Sequence, residues 1–510
     1  MKIEFIGAAE CVTGSCHKLT VMGKNILLDC GLFQGSDDEE GKNESFPFEP
    51  KDIDYVILSH SHIDHSGRIP LLYKKGYQGQ VYCTKATKAL SDVMLRDSGH
   101  IAEMEIEWKN RKRMRQGLPP IEPLYTAQDA AKCIVNFLSF EYDEIIEIFD
   151  GFKICFKDSG HMLGGAIVEI FIKEGDKEEI KLVYSGDLGN INIPILKDPT
   201  YIETADYVIM ESTYGNRIHK NARNEIEKLV DIIKETFKRG GNVVIPSFAV
   251  GRAQEVLYAL NNYVENKMLE NITVYVDSPL AQEATKVFQN FTHIYDEEAK
   301  QLVDRGDDPF SFKGLIFTKT AVESTQINKV KSGAVIISSS GMCEAGRIKH
   351  HLKHNLWRKE CAVVFVGYQG ENTLGRAIIE GAKKVKIFGE EVAVNAKIYK
   401  LNGLSGHADK DGLIKWINSF RKKPKEIILV HGDKDVVLSL QKELSDKGFN
   451  AYIAKEGETR YIGADVHREL LDVDKLKEKL SEFVLSIEDK YIHKEEILSN
   501  INNIINNLLS

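Results

Sequence analysis

The sequence predicts an α/β layered fold, and three observations predict it. Short β-rich runs in the opening part of the chain end in turns that carry histidine, aspartate and glycine. In the middle, apolar runs of strand length alternate with helical segments. Strand-like runs resembling the opening part then return before a polar, helical end.

Taken in order, Ile3–Ile6, Leu19–Met22 and Ile26–Asp29 read as strands, and Asp54–Ser59 as another that runs into a histidine-rich turn. Gly67–Lys75 opens a helical stretch that Trp108–Arg115 closes with a basic run. That run suits a solvated helix face or an RNA-facing edge. Phe152–Lys157, Ala166–Ile172 and Ile180–Ser185 add strands. From about residue 207 the pattern changes. Asn242–Pro246, Ile272–Val276, Ala334–Ser339 and Ala362–Val366 are continuous apolar runs, as in a buried parallel sheet. Arg252–Tyr263 and Ala281–Asn290 between them are helical, which is the alternation of an α/β layer. Lys397–Leu401, Glu426–Val430 and Ala451–Ala454 look like a return to the first domain. Beyond Val473 the apolar residues Ile497, Ile501, Ile504, Ile505 and Leu508 fall at steps of three and four, giving one stripe. The stripe suits a homodimer contact and packing on the chain's own body equally.

A chain of 510 residues is too long for one ordinary core, so two or three domains are expected. The 43% hydrophobic and 28% charged content is that of a soluble globular protein. No apolar run reaches the roughly 20 residues of a membrane span, so no membrane partner is expected. Met1–Ile6 carries an acidic residue and lacks a signal-peptide core, so a cytoplasmic location is expected. The net charge of −9 argues against a broadly basic nucleic-acid binder, while leaving room for a local basic groove. Eight scattered cysteines form no Cys-x-x-Cys pair, so buried free thiols are expected rather than a thiolate metal site.

The chemistry concentrates in His60-Ser-His62-Ile-Asp64-His65, on a strand-to-helix turn. Residues two apart in an extended segment point the same way, so His60 and His62 can share one metal. After the turn, Asp64 and His65 can face a second. Imidazole and carboxylate suit zinc, with manganese or iron compatible on ligand type alone. Asp158–Gly165, Ser185–Gly189 and Leu429–Asp433 each follow a strand and offer His161, Asp187 and His431 beside glycines.

This pattern, with Asp29 ahead of it, resembles the metallo-β-lactamase superfamily, an αββα sandwich with metals at one edge. The resemblance implies two Zn²⁺ per chain. One is held by His60, His62, His161 and Asp187, the other by Asp64, His65, Asp187 and His431. Asp29 then orients the water or a ligand histidine. Met210-Glu211-Ser-Thr-Tyr-Gly215, Leu404-Ser-Gly-His407-Ala-Asp409 and Val430-His431-Gly432 resemble the motifs of the β-CASP branch. Pro246–Arg252, Val276–Leu280, Ser338–Cys343 and Val366–Gln369 sit where that branch has such phrases.

The expected organisation is therefore a first domain over 1–207, an inserted β-CASP domain over 208–395, a return to the first over 396–465 and a helical tail over 466–510. The resemblance is to bacterial and archaeal relatives of the pre-mRNA 3′-end cleavage endonuclease subunit, without a KH-type extension ahead of the first strand. It implies hydrolysis of RNA, most simply single-stranded, by a hydroxide shared between two zinc ions, with Asp29, Asp64, Glu211 and His407 as catalytic residues.

His407, favoured as imidazolium by Glu211, is the expected general acid for the leaving oxygen. RNA rather than DNA follows from a histidine at 431, where DNA-repair members typically carry an apolar residue. Ser339, Ser340 and Arg347 lie in a hydroxyl-rich turn that suits either phosphate binding or a plain strand-to-helix connection. Arg252 suits an RNA backbone contact or an interdomain ion pair. His219, His350, His351 and His354 are expected at the surface or an interface. Endonuclease action is the leading expectation. The rivals are a 5′-to-3′ exonuclease of RNase J type, a metal-dependent ester or thioester hydrolase, and a catalytically silent RNA-binding subunit.

Overall fold

The computed structural model describes residues 1–38, 41–401 and 403–463. Contacts group the chain into two units, Ile3–Thr459 and Met1–Lys2 together with Arg460–Ser510. Within the second, the Met1 amino group donates to the Ile462 carbonyl at 3.1 Å. The helical tail and its apolar stripe lie outside the described residues. Everything below concerns the first unit.

Six strands run in sequence order through the first sheet: β1 Lys2–Gly7, β2 Cys16–Val21, β3 Lys24–Leu28, β4 Tyr55–Ile57, β5 Gln80–Thr84 and β6 Phe137–Phe140. The second sheet takes β7 Ile145–Phe149, β8 Phe152–Asp158, β9 Ala166–Ile172, β10 Ile180–Tyr184 and β11 Tyr207–Glu211.

The chain then leaves for a six-stranded sheet made of β12 Val243–Pro246, β13 Thr273–Asp277, β14 Leu315–Phe317, β15 Ala334–Ser338 and β16 Ala362–Phe365, whose edge strand comes after a small hairpin. That hairpin is β17 Lys384–Ile387 with β18 Glu390–Ala393, and the edge strand is β19 Lys397–Lys400. All pairings in this six-stranded sheet are parallel, and its central strands are buried throughout. This is why they read as unbroken apolar runs. The chain returns to the second sheet with β20 Glu426–Val430 and β21 Ala451–Ile453.

Two boundaries differ from the sequence expectation. Tyr207–Glu211 belongs to the second sheet, in parallel register with β10 and β20, so the insertion starts after it. Lys397–Lys400 does not rejoin the first domain but pairs with β16 in the inserted sheet. Both strands sit at the crossings between layers, where apolar patterning is the same on either side.

The inserted layer and the sandwich share one apolar cluster. Leu90, Met94, Met162 and Leu163 from the sandwich join Leu229, Val256 and Leu260 from the insertion. Met162 and Leu163 directly follow His161, so the packing that docks the insertion also fixes the turn that carries His161. Each such buried side chain contributes about 1.5–3 kcal/mol.

Candidate metal centre

The second sheet brings its site residues to one edge by strand direction. β8 and β10 are both antiparallel to β9, and β10, β11 and β20 run parallel, so these four strands end together. His161 follows β8, Asp187 follows β10, Glu211 ends β11 and His431 follows β20. The parallel register sets Glu211 opposite Val430, beside His431. From the facing sheet, Asp29 follows β3, and Ser59 and His60 lead out of β4 into the short helix Ile63–Ser66. The Ser59 carbonyl accepts from the Ala166 amide at 2.9 Å and ties the two sheets together at this edge. Close approach explains two glycines. A Cβ on Gly31 would lie 1.6 Å from the Asp64 carbonyl, and one on Gly189 would lie 2.0 Å from the Gly160 backbone beside His161.

The ring nitrogens converge in two groups. His62 Nδ1 lies 3.1 Å from His60 Nε2 and 3.0 Å from His161 Nε2. Asp187 Oδ2 lies 3.3 Å from His60 Nε2 and 3.5 Å from His161 Nε2. In the second group His65 Nε2 and His431 Nε2 are 3.1 Å apart, and Asp64 Oδ2 lies 3.9 and 3.6 Å from them. Asp187 Oδ1 completes that group at 3.3 and 3.6 Å. One carboxylate thus offers one oxygen to each group. The two groups suit divalent cations by the chemistry of their donors and by spacing. A tetrahedron with zinc–nitrogen distances of roughly 2.0–2.1 Å has edges of about 3.3 Å. Asp187 Oδ1 is buried without a hydrogen-bond donor, which is costly unless a cation satisfies it.

Outer contacts aim the rings. His65 Nδ1 donates to Asp29 Oδ2 at 2.7 Å, and His161 Nδ1 donates to the Gly406 carbonyl at 3.1 Å. His431 Nδ1 is 2.9 Å from Thr213 Oγ1, and His60 Nδ1 is 3.0 Å from Ser59 Oγ. Each contact leaves the opposite nitrogen free to face the centre, as ligand histidines require. Asp29 is itself held by Ser59 N, Ser59 Oγ and Tyr184 Oη, each at 2.7 Å. Sequence reading missed Ser59, Tyr184 and Thr213. Its position beside His60, as the chain leaves β4, is a signal that finds Ser59. No sequence signal marks Tyr184.

Burial pulls His62 down to about 3 and lowers His60 and His161, the neutral state that binds a metal. Burial opposes charge on Asp187, yet His431, His65 and His60 outweigh it and hold its carboxyl well below the usual range. Asp64 is lowered in the same way by His65 and His431. His65 runs the other way: against burial, Asp187 and Asp64 draw it well above the ordinary imidazole value. The field that favours a proton there equally favours a divalent cation.

Asp187 also meets a third pair. His407 Nδ1 lies 3.4 Å from each Glu211 oxygen and 3.9 Å from Asp187 Oδ2. The Glu211 carboxylate is wholly buried and accepts from the Leu188 amide at 2.6 Å. Gly189 bridges to His407, and the Ala408 amide donates to the Leu188 carbonyl at 2.7 Å, so the Asp187 turn carries the His407 turn with it. Burial lowers the His407 imidazole, but Glu211 and then Asp187 overcome it and raise it to about 9. The Tyr214 ring packs edge-on to His407 at 5.9 Å.

The remaining candidates lie in the inserted layer, apart from these clusters. Arg252 is buried and pairs with Glu255, three residues on in its own helix, rather than across a domain boundary. Arg347 donates to Asp277 at 2.7 Å, Ser339 Oγ donates to Ser278 Oγ at 2.6 Å and Ser340 Oγ accepts from the Ala345 amide at 3.3 Å. His351 is not at the surface. It is fully buried with Nε2 2.6 Å from Asp277 Oδ2. Its spacing with Ile348, Leu352 and Asn355, all buried, is the helical signal that identifies it. His219, His350 and His354 are not fully buried, and none joins the metal clusters. Seven cysteines are buried and Cys11 is half-buried, all as free thiols. No described helix is long and apolar enough to cross a membrane.

Three family models match in the order the sheets imply. They are a metallo-beta-lactamase superfamily domain over 19–204, a Beta-Casp domain over 253–378, and a Zn-dependent metallo-hydrolase RNA specificity domain over 391–454. The chain is 37% identical to Ribonuclease TTHA0252 of Thermus thermophilus over 90% of this chain and 99% of that protein. It is 31% identical to Transcription termination factor FttA of Methanocaldococcus jannaschii over 86% of this chain and 68% of that protein. An RNase J-like protein of the same organism is 32% identical over 86% of this chain and 94% of its own length. A solved structure of a protein of unknown function from Enterococcus faecalis V583 shares the fold at a TM-score of 0.52 and 14% identity, covering 90% of this chain and 99% of that one. Sheet topology, inserted layer and ordered family matches converge on one assignment: this chain belongs to the β-CASP family of metallo-β-lactamase-superfamily hydrolases.

Proposed function

We propose that the protein is a zinc-dependent ribonuclease that cuts RNA internally. The observation that carries the reading is the placement of one carboxylate, Asp187, within 3.3–3.9 Å of two donor groups and of a third, acid-bearing pair. Ester and thioester hydrolysis needs the donors but gives no role to a buried Glu211–His407 pair or to a large inserted layer. The relatives' names, a ribonuclease and RNA-directed family members, support RNA as substrate.

His60, His62, His161 and Asp187 would hold one zinc, and Asp64, His65, Asp187 and His431 the other. When bound, such a pair neutralises phosphate charge and acidifies water to a pKa of roughly 7, which permits attack at phosphorus at neutral pH. Asp29 keeps His65 in the tautomer that presents Nε2. His407 delivers the proton to the leaving oxygen, and Glu211 supplies the negative charge that keeps the imidazolium formed. With Asp187 engaged by cations, its pull on His407 would be cancelled, and Glu211 would be the partner that sets the proton affinity of His407. A neutral leaving alcohol and a phosphate on the other fragment follow.

Incubating the protein with circular and with 5′-labelled linear RNA, with and without chelator, tests the reading. Chelator-sensitive cutting of circles is expected. Intact circles with progressive trimming of linear RNA would replace endonuclease by 5′-to-3′ exonuclease action. Inert RNA with chelator-sensitive ester hydrolysis would overturn the nuclease reading. Asp64→Ala is expected to lower metal content together with activity, and unchanged stoichiometry would remove Asp64 from the ligand set.

A further inference from the structure

The far end of the helix Lys85–Arg115 carries a surface that the metal centre does not explain. Its near half is packed: Leu90 and Met94 are buried, and Met94 Sδ accepts from Ser61 Oγ, between His60 and His62, at 3.4 Å. Its far half, from Ile101 to Arg115, has no buried residue. The chain returns along one side of it, where Asn110 exchanges two hydrogen bonds with the Ile121 backbone, both at 2.8 Å, and Arg113 Nε donates to the Pro119 carbonyl at 2.8 Å. At 3.6 residues per turn the opposite side presents Ile101, Met104, Trp108, Arg111, Lys112 and Arg115 in one stripe. Nothing described covers that stripe, and Trp108 is 57% exposed.

The composition of the stripe decides its partner. Lys109–Arg115 holds five cations and no carboxylate in a chain of net charge −9. Among the described residues the one acid drawn into the run is Glu107, which meets Arg111 at 2.5 Å. Lys112 Nζ sits 3.4 Å from the Trp108 ring centroid, so the ring already holds a cation against one face. An indole flanked by cations matches a base beside its phosphates, the pairing that sequence-tolerant single-strand binders use. A protein partner drawn by Ile101, Met104 and Trp108 alone would leave Lys112 and Arg115 without counter-charges. Trp108 lies fourteen residues beyond Met94, about 21 Å along the axis. A stacked strand that advances about 3.4 Å per nucleotide covers that in about six nucleotides.

We propose that this stripe is an anchoring surface for single-stranded RNA, gripping substrate at a distance from the bond cut, with Trp108 stacking a base and Arg111, Lys112 and Arg115 meeting phosphates. The proposal rests on the ribonuclease reading for its ligand, and the test separates the two. Trp108→Ala, and Arg111→Gln, Lys112→Gln and Arg115→Gln combined, are compared with the unaltered protein. The substrates are an RNA of about twenty nucleotides and the small diester bis(p-nitrophenyl) phosphate, and RNA binding is measured directly by fluorescence anisotropy in chelator across salt concentrations.

Losing the stack is expected to weaken RNA binding at least about fivefold. Losing three phosphate contacts is expected to flatten the dependence of log affinity on log salt by about two. Both variants keep the hydrolysis rate of the small diester and the helical circular dichroism, because the substituted side chains are exposed. Unchanged RNA affinity and salt slope in both variants overturn the proposal. So does a change in oligomeric mass with RNA affinity unchanged, which assigns the stripe to a second copy or another protein. If the unaltered protein hydrolyses neither substrate, the ribonuclease reading fails, while the anisotropy comparison still decides the stripe.

Discussion

Two buried aspartates at strand ends, Asp187 after β10 and Asp277 at the end of β13, show how alike a centre and a scaffold look in outline. Both are nearly or wholly inaccessible and both have histidine beside them. Asp277 is satisfied from every side: Thr318 and Ser324 hydroxyls, Arg347 Nη1 and His351 Nε2 all donate to it. Asp187 has histidine nitrogens at 3.3–3.6 Å around both oxygens and a buried oxygen with no donor. The difference teaches what to look for. A carboxylate whose partners donate to it is holding a fold together. A carboxylate whose neighbours are, like it, lone-pair bearers aimed at a shared point has the surroundings that suit a cation.

Breaking that contrast at Asp187 should have the largest effect. Asp187→Asn removes the charge common to both groups and replaces one acceptor by a donor. Metal content is expected to fall for both groups, with RNA cleavage lost by far more than the 10- to 100-fold typical of an outer partner. Elemental analysis beside a cleavage assay checks it. A fully loaded variant would show that Asp187 does not bridge.

His407→Ala sharpens the contrast from the acid's side, because His407 faces Asp187 without belonging to either donor group. The expected result is unchanged metal content with cleavage slower by about 10²–10⁴-fold. Loss of metal would make His407 a ligand instead.

At the scaffold end, Asp277→Asn leaves the Arg347 charge and His351 facing a neutral amide. A loss of about 3–5 kcal/mol in stability is expected, the usual cost of removing one partner of a buried pair. Metal content should be untouched once the variant is folded, and thermal unfolding with metal analysis separates the two effects. The pH sign follows from direction. Burial would raise the Asp277 carboxyl, but His351, Ser324, Thr318 and Arg347 together depress it. Its contribution is therefore complete above the unfolded value of roughly 3.9 and lost only as pH falls below that toward the folded value. The stability gap between wild type and variant should be flat near neutrality and close in strong acid. A gap that opens in acid contradicts the assignment.

The same contrast explains what was legible in the sequence. That His60, His62, Asp64, His65, His161, Asp187 and His431 would meet at one sheet edge was readable, because they follow strand ends, and strand ends announce themselves by apolar runs that stop at glycine. The inserted layer was readable because parallel strands buried on both faces are written as continuous Val and Ile. The Asp277 cluster was not. Its members come from two segments, Thr318 and Ser324 after β14 and Arg347 and His351 one helical turn apart, and of the four only His351 falls on a run of buried helical spacing. His351 looked like surface because it sits among His350, Lys353 and His354. Arg252, which follows glycine at a helix start, suited a substrate contact or an interdomain ion pair, yet its charge is met by Glu255 one turn on. The strands at 207–211 and 397–400 were assigned to the wrong side because an apolar strand does not record which neighbour it pairs with.

Asp29 stands between the two kinds of carboxylate and gives the finest test. Like Asp277 it is satisfied by donors, with Ser59 N, Ser59 Oγ, Tyr184 Oη and His65 Nδ1 all at 2.7 Å. Unlike Asp277, one of those donors is a ring whose other nitrogen faces the metal groups. Asp29→Asn keeps the shape but places an N–H among donors on one side. If the amide nitrogen faces His65, Nδ1 can no longer donate to it, and the proton moves to Nε2, where it blocks a ligand position. If the amide is flipped, its nitrogen meets the Ser59 amide instead, and β4 is loosened. The first outcome costs less to the fold, so a 10- to 100-fold loss of affinity at the His65, His431 and Asp64 group is expected. The His60, His62 and His161 group should stay loaded, giving about one tightly held metal per chain by titration. Equal loss at both groups, or an unfolding midpoint lowered as far as in Asp277→Asn, would place Asp29 with the scaffold carboxylates rather than with the centre.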